Sequence, residues 1–259
     1  MKASCLLISM AVLFVAGILT SPTYAKIDPE TMVGIWFFDE GDGDTAEDSS
    51  GNENHGTLLS DPKWVDGKLG MALEFDGSST SVDCGDTESM NIPTGGEVTM
   101  CAWVYPTVGS AAAWQGIMAK RTGNYSYGIN FITNQFQVYT SGGSGIAIFN
   151  YNLPSDEWVH VAGVMSADPT ELYINGELFD TWGAGGGVIE AANELRIGAS
   201  GTIGEVFNGI IDDVGIFNVA LSENDINDIY NRGLGMATGI APVEFSGKLA
   251  TTWAGIKSK

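Results

Sequence analysis

The sequence predicts an all-β sandwich with one short C-terminal helix. Three observations lead there. Short apolar runs recur at regular intervals, without the strand–helix alternation of βαβ folds. Asn175-Gly176 separates two such runs, and both residues tolerate the positive φ of a type I′ hairpin turn. One segment, opening at Ser222, joins a helix-start signal to helical apolar spacing.

The chain has 259 residues. Residues 1–25 read as a secretory signal peptide and stand outside the fold. Met1 and Lys2 give a positive start, Leu6 to Leu19 is apolar, and Thr23-Tyr24-Ala25 ends on a small-residue cleavage site. The apolar run is short for a membrane span. Residues 26–232 then read as a single domain, since nothing within them resembles a linker. Residues 233–259 read as an extended tail, where apolar periodicity fades and Lys248, Lys257 and Lys259 gather. The formal net charge of −21 argues against nucleic acid and anionic membranes as partners and favours cations. An exported protein, secreted or at the cell surface, is the expectation.

Residues 33–38 (VGIWFF) are apolar on both faces and predict a buried first strand. The acidic loop that follows, residues 39–44, lacks the closing Glu and the flanking helices of an EF-hand. Further strands are expected at 72–75, 81–83, 98–104, 116–120, 127–131, 135–139, 158–165, 171–174, 177–180 and 194–198. Trp36, Trp103 and Trp158 lie inside these runs and are expected in the core. Cys84 and Cys101 each flank or enter an apolar strand. A disulfide between them and two buried free thiols both agree with the sequence.

Residues 209–217 (GIIDDVGIF) predict the last strand, and two carboxylates interrupt it. Asp is depleted in strands because its short polar side chain prefers caps and turns, so Asp212 and Asp213 need a partner. In so acidic a chain a hard cation, calcium, is the expected one. Residues 48–56 (DSSGNENHG) form a turn rich in oxygen side chains and are expected to supply the same ion. No Cys/His spacing supports zinc, so the His55 ring is expected to be hydrogen-bonded rather than ligating. In the helix, Ser222 and Asp225 form a capping box, Leu221 and Ile226 a hydrophobic staple, and Gly233 the stop.

Several of these segments together resemble the laminin-G-like, concanavalin A-like lectin/glucanase jelly-roll family. They are residues 34–40 (GIWFFDE), 48–56, 72–77 (ALEFDG), 102–104 (AWV), 158–162 (WVHVA), 172–176 (LYING) and 209–222 with Asp225, Ile226 and Tyr230. The resemblance spans about residues 32–232. It implies two antiparallel sheets in a jelly roll, with the first and last strands close together. It also implies one structural calcium. Carried onto this chain, its ligands are Asp48, Asn52 and Asp212, joined by Asn54 or the His55 carbonyl, with Asp39 as an alternative. Asp213 is then expected on the opposite face, held by backbone N–H groups or Arg196.

Relatives of the laminarinase type carry paired carboxylates on a Glu-x-Asp-x-x-Glu strand. The nearest stretch here, residues 223–228 (ENDIND), ends in Asp and falls in the capped helix. A Gly-x-Ser-x-Gly nucleophile motif and a phosphate-binding loop are both missing from the sequence. The expectation is a non-catalytic binding module. Aromatic side chains near polar ones are the candidates for stacking on a saccharide: Trp114, Tyr125, Tyr127 with Asn130, and Trp182. An extracellular glycan is the first expected partner. The alternative is an adhesion or surface-structural protein that binds another protein through the same face.

Overall fold

The computed structural model describes residues 26–107, 114–121, 125–132, 135–140, 146–167, 169–183, 187–201 and 205–240. Sixteen strands follow one another: β1 (Met32–Trp36), β2 (Thr45–Ala46), β3 (Gly56–Leu59), β4 (Lys63–Asp66), β5 (Met71–Asp76), β6 (Ser81–Gly85), β7 (Val98–Pro106) and β8 (Gln115–Arg121). The rest are β9 (Tyr125–Ile132), β10 (Gln135–Thr140), β11 (Ile146–Phe149), β12 (Val159–Met165), β13 (Thr170–Ile174), β14 (Glu177–Trp182), β15 (Leu195–Ile197) and β16 (Asn208–Phe217). Two helices close the described chain, α1 (Glu223–Arg232) and α2 (Leu234–Thr238).

The strands form two antiparallel sheets, the jelly roll that the sequence implies. The first runs β14-β13-β12-β7-β16-β5-β4, with β1 also on β16; the second runs β11-β10-β9-β8-β15-β6-β3-β2. β16 organises the first sheet. One of its edges pairs with β7, and the other meets β5 at residues 208–211 and β1 at residues 214–217. The first and last strands are therefore neighbours, as expected.

Period-two alternation along β7 explains why there are two cores. Val98, Met100, Ala102 and Val104 point between the sheets, where Trp36, Phe75, Tyr127 and Phe136 are fully buried. Cys101 points to the outer face, where Phe217, Leu221, Ile226, Ile229 and Leu234 cover it. Burying a side chain of this size contributes roughly 1.5–3 kcal/mol. α1 is thus a lid on the first sheet.

The disulfide expectation is corrected here. Cys84 and Cys101 are free and buried. Cys84 lies in the core between the sheets and Cys101 in the outer one, so the first sheet stands between their side chains. Burial pushes the Cys101 thiol up to about 12. The tail expectation is corrected in part: the chain re-enters a helix, α2, directly after Gly233, and residues 241–259 lie outside the described residues. Residues 1–25 do as well.

The local signals were accurate. Asn175 and Gly176 have φ of 50° and 79°, and a Cβ on Gly176 would come within 2.9 Å of Tyr230 on α1. The capping box is complete, with Ser222 Oγ accepting the Asp225 N–H and Asp225 Oδ2 accepting the Ser222 N–H.

Candidate functional site

The loop of residues 48–55 is closed by hydrogen bonds. Buried Asp48 accepts the N–H groups of Ile35 and Ser50 on Oδ1, each at 2.9 Å. Its Oδ2 accepts the Ser50 hydroxyl at 2.8 Å and the Asn54 N–H at 2.9 Å. Asn52 and Asn54 donate their amides to the Val33 carbonyl at 3.1 and 2.8 Å. His55 Nδ1 lies 3.0 Å from the Asp48 nitrogen and 2.8 Å from Glu47 Oε2. With its proton on Nε2 the ring accepts from Asp48 at Nδ1; with a proton on Nδ1 it donates to Glu47, and Nδ1 cannot do both. Together these bonds clasp the loop to β1.

Asp212 and Asp39 clamp a different segment, the turn of residues 67–71. Asp212 Oδ2 accepts the Leu69 N–H at 2.9 Å, and Asp39 Oδ1 accepts the Met71 N–H at 2.8 Å. Gly70 sits there at φ +71°, and a Cβ would fall 1.9 Å from Asp39 Oδ1, so the position requires glycine. Asp213 lies within a bulge in the pairing with β7 and has φ +46°, which breaks the expected alternation. Its carboxylate accepts the Leu234 N–H at the start of α2. Arg196 pairs instead with Asp83 and Glu194, so the backbone is the partner of Asp213.

The six residues expected to hold calcium therefore divide between two places. Asp48, Asn52 and Asn54 tie the loop to β1 and His55 closes the loop on itself, whereas Asp39 and Asp212 hold the turn of residues 67–71. Among the described residues, no group of three or more His, Cys, Asp or Glu side chains is placed to hold a metal ion.

Burial governs the charge of the second group. It pushes Asp213 up to about 8, aided by the charge of Asp39, and lifts Asp212 well above the carboxylate range, aided by Asp213. Burial likewise lowers His160 to about 3, and neither ring nitrogen has a hydrogen-bond partner. His160 packs against Trp103 and Tyr230 with centroids at 5.3 and 6.0 Å. A cavity of about 340 Å³ opens beside these rings between Lys68, Trp103 and Tyr230. It makes a poor stacking platform, because the Lys68 ammonium already lies 4.5 Å from the Trp103 ring centre.

The aromatic candidates separate by exposure. Tyr127 and Asn130 are completely buried, which corrects their assignment as surface ligand residues. Tyr127 belongs to the core between the sheets and donates its hydroxyl to the Met90 carbonyl at 3.2 Å. Tyr125 opens β9, and its side chain lies outside the described ones. Trp114 is 38% exposed, beside residues 108–113, which lie outside the described residues.

Trp182 is 40% exposed at the end of β14, the edge strand of the first sheet. All six residues of β14 are exposed. Leu178 and Phe179 on the same strand are 41% and 44% exposed. Phe179 is the extra residue of a bulge against β13, and its ring meets Tyr151 edge-on at 5.1 Å. Ile146 on β11, the facing edge of the second sheet, is exposed as well. Leu178, Phe179 and Tyr151 were missed because alternation alone makes β14 half-buried. The available signal was position: β14 is the second arm of a hairpin that runs into the glycine-rich residues 183–187.

The stretch at residues 223–228 proves structural. Asp225 completes the helix cap, and Asp228 is paired with Arg232 at 2.7 Å. No helix among the described residues is long and apolar enough to cross a membrane.

A sequence profile described as the concanavalin A-like lectin/glucanases superfamily matches residues 76–227. No curated protein sequence matches the chain. Among solved structures, the chain is similar to domain 4 of the extracellular arabinanase AbnA from Geobacillus stearothermophilus, solved with arabinotriose. That match has a TM-score of 0.60 and 20% identity over 78% of this chain and 98% of the other. The binding domain of Paraclostridial Mosquitocidal Protein 1 matches with a TM-score of 0.63 and 16% identity over 79% of this chain. A botulinum neurotoxin type C structure, whose cell entry depends on interaction with two ganglioside molecules, matches with a TM-score of 0.61 and 15% identity over 79% of this chain. The chain spans about half of each toxin chain, 52% and 51%. At these identities the likeness is one of fold.

Proposed function

Since the chain belongs to the concanavalin A-like lectin/glucanases superfamily, we propose that it is an exported, non-catalytic module that binds extracellular saccharide. The observation that carries this reading is the β14 edge, where Phe179 and Trp182 stand exposed beside Asp180 and Glu177. Sugars present C–H faces to aromatic rings and hydroxyls to polar side chains, and this edge supplies both partners. One matched neighbour is the binding domain of a toxin and another is an arabinanase domain solved with arabinotriose, which supports a binding role. Export rests on the signal-like residues 1–25. This reading does not depend on calcium, since none of the residues expected to hold it is on β14.

Screening the chain on a glycan microarray tests the proposal. Binding is expected, and Trp182→Ala is expected to weaken it at least tenfold while the circular dichroism spectrum stays unchanged. A silent array with a folded protein defeats the reading.

A further inference from the structure

The edge that carries Phe179 and Trp182 is built from a part of the chain without cations. Between Arg121 and Arg196 the sequence holds neither Lys nor Arg. All of β9, β10, β11, β12, β13 and β14 come from that interval, so one whole end of both sheets lacks positive charge. Carboxylates are present there. Glu177 and Asp180 flank Phe179 on β14, and Glu171 stands opposite Thr181 on β13. Six of the cations described elsewhere are engaged. Lys63 pairs with Asp61, Lys120 with Asp86, Arg121 with Glu205, Arg196 with Asp83 and Glu194, and Arg232 with Asp228. Lys68 lies over Trp103.

We infer that the β14 edge selects uncharged saccharide chains and rejects those bearing carboxylate or sulfate groups. The inference rests on the saccharide reading above and narrows it to a chemical class. An ionised carboxylate accepts hydrogen bonds and donates none. Glu177 and Asp180 therefore suit sugar hydroxyls, which donate. Part of Asp180 is already committed, since its Oδ1 accepts the Thr181 N–H at 2.8 Å, and this leaves Oδ2 for a ligand. A uronate or sulfate on the ring face would set acceptor against acceptor, and like charges placed together oppose binding. The molecule's net charge of −21 acts in the same direction at longer range.

The test is a microarray of neutral glucan, mannan, galactan and arabinan oligosaccharides, with the hexose chains also present as their C6-oxidised uronates and their C6 sulfates. The tightest neutral hexose chain and its uronate form are then titrated by calorimetry. Binders are expected among the neutral chains, with the uronate at least tenfold weaker. Glu177→Gln with Asp180→Asn is expected to narrow that gap, as is raising the ionic strength. Trp182-dependent binding of a uronate or sulfated chain, as tight as the neutral one, overturns this inference and leaves the saccharide reading standing. No binding to any chain overturns both. Neutral binding that survives Trp182→Ala and Phe179→Ala places the site elsewhere and overturns the inference for β14.

Discussion

His160 and Asp213 are both buried away from their ordinary charge states, and they act on stability in opposite directions. The folded His160 binds its proton only near pH 3, whereas the unfolded imidazole takes one near 6.5. Its contribution is therefore present above about pH 6.5 and lost as pH falls toward 3. Asp213 titrates near 8 in the fold against 3.8 when free, so its contribution is present at low pH and lost as pH rises to 8. Between the two free values the slopes oppose each other. From about pH 6.5 to 8 only the carboxyl slope remains, at up to ~1.4 kcal/mol per pH unit for each carboxyl. The melting temperature is expected to fall across that interval, and Asp213→Asn is expected to flatten the fall. The same melts distinguish protonated carboxyls from a cation-held cluster. A chelator is expected to leave the melting temperature unchanged, and a drop on chelation would favour calcium at Asp39 and Asp212.

At the scale of elements, α1 depends on its cap. Ser222→Ala removes the acceptor for the Asp225 N–H and is expected to cost about 1 kcal/mol, since few other groups hold the N-terminus. In a domain of this size that is a fall of roughly 2–4 °C in melting temperature by calorimetry. This cap, the Leu221 staple and the Asn175-Gly176 turn were legible because each is decided within a few residues. So were the strands, whose apolar alternation is local. The bulge at Asp212 was not, because it depends on how β16 registers against β7, far away in sequence. Cys84 and Cys101 looked pairable along the chain, and only the assignment of β6 and β7 to different sheets separates them. The candidate site was half legible. Trp182 was readable as an aromatic beside a carboxylate, but Tyr127 and Asn130 were not readable as buried without knowing what packs on them.

For the whole molecule, the cysteines make a simple statement. With no disulfide among the described residues, reductant is expected to leave the melting temperature unchanged within a degree; a fall of several degrees would mean a bridge that forms in solution. The net charge has a less obvious consequence. Of the four strands that end the two sheet orders, three are blunted: β2 has two residues, β11 has four, and β4 carries Lys63 and Asp66 at its ends. β14 is longer and exposes Leu178, Phe179 and Trp182, and such an edge is a template on which further strands can add. What stands between neighbouring copies is repulsion, which reaches about 8 Å in physiological salt and only about 3 Å at 1 M. The acidity of the chain thus serves as colloidal protection, holding apart molecules whose bare edges would otherwise grow into one another.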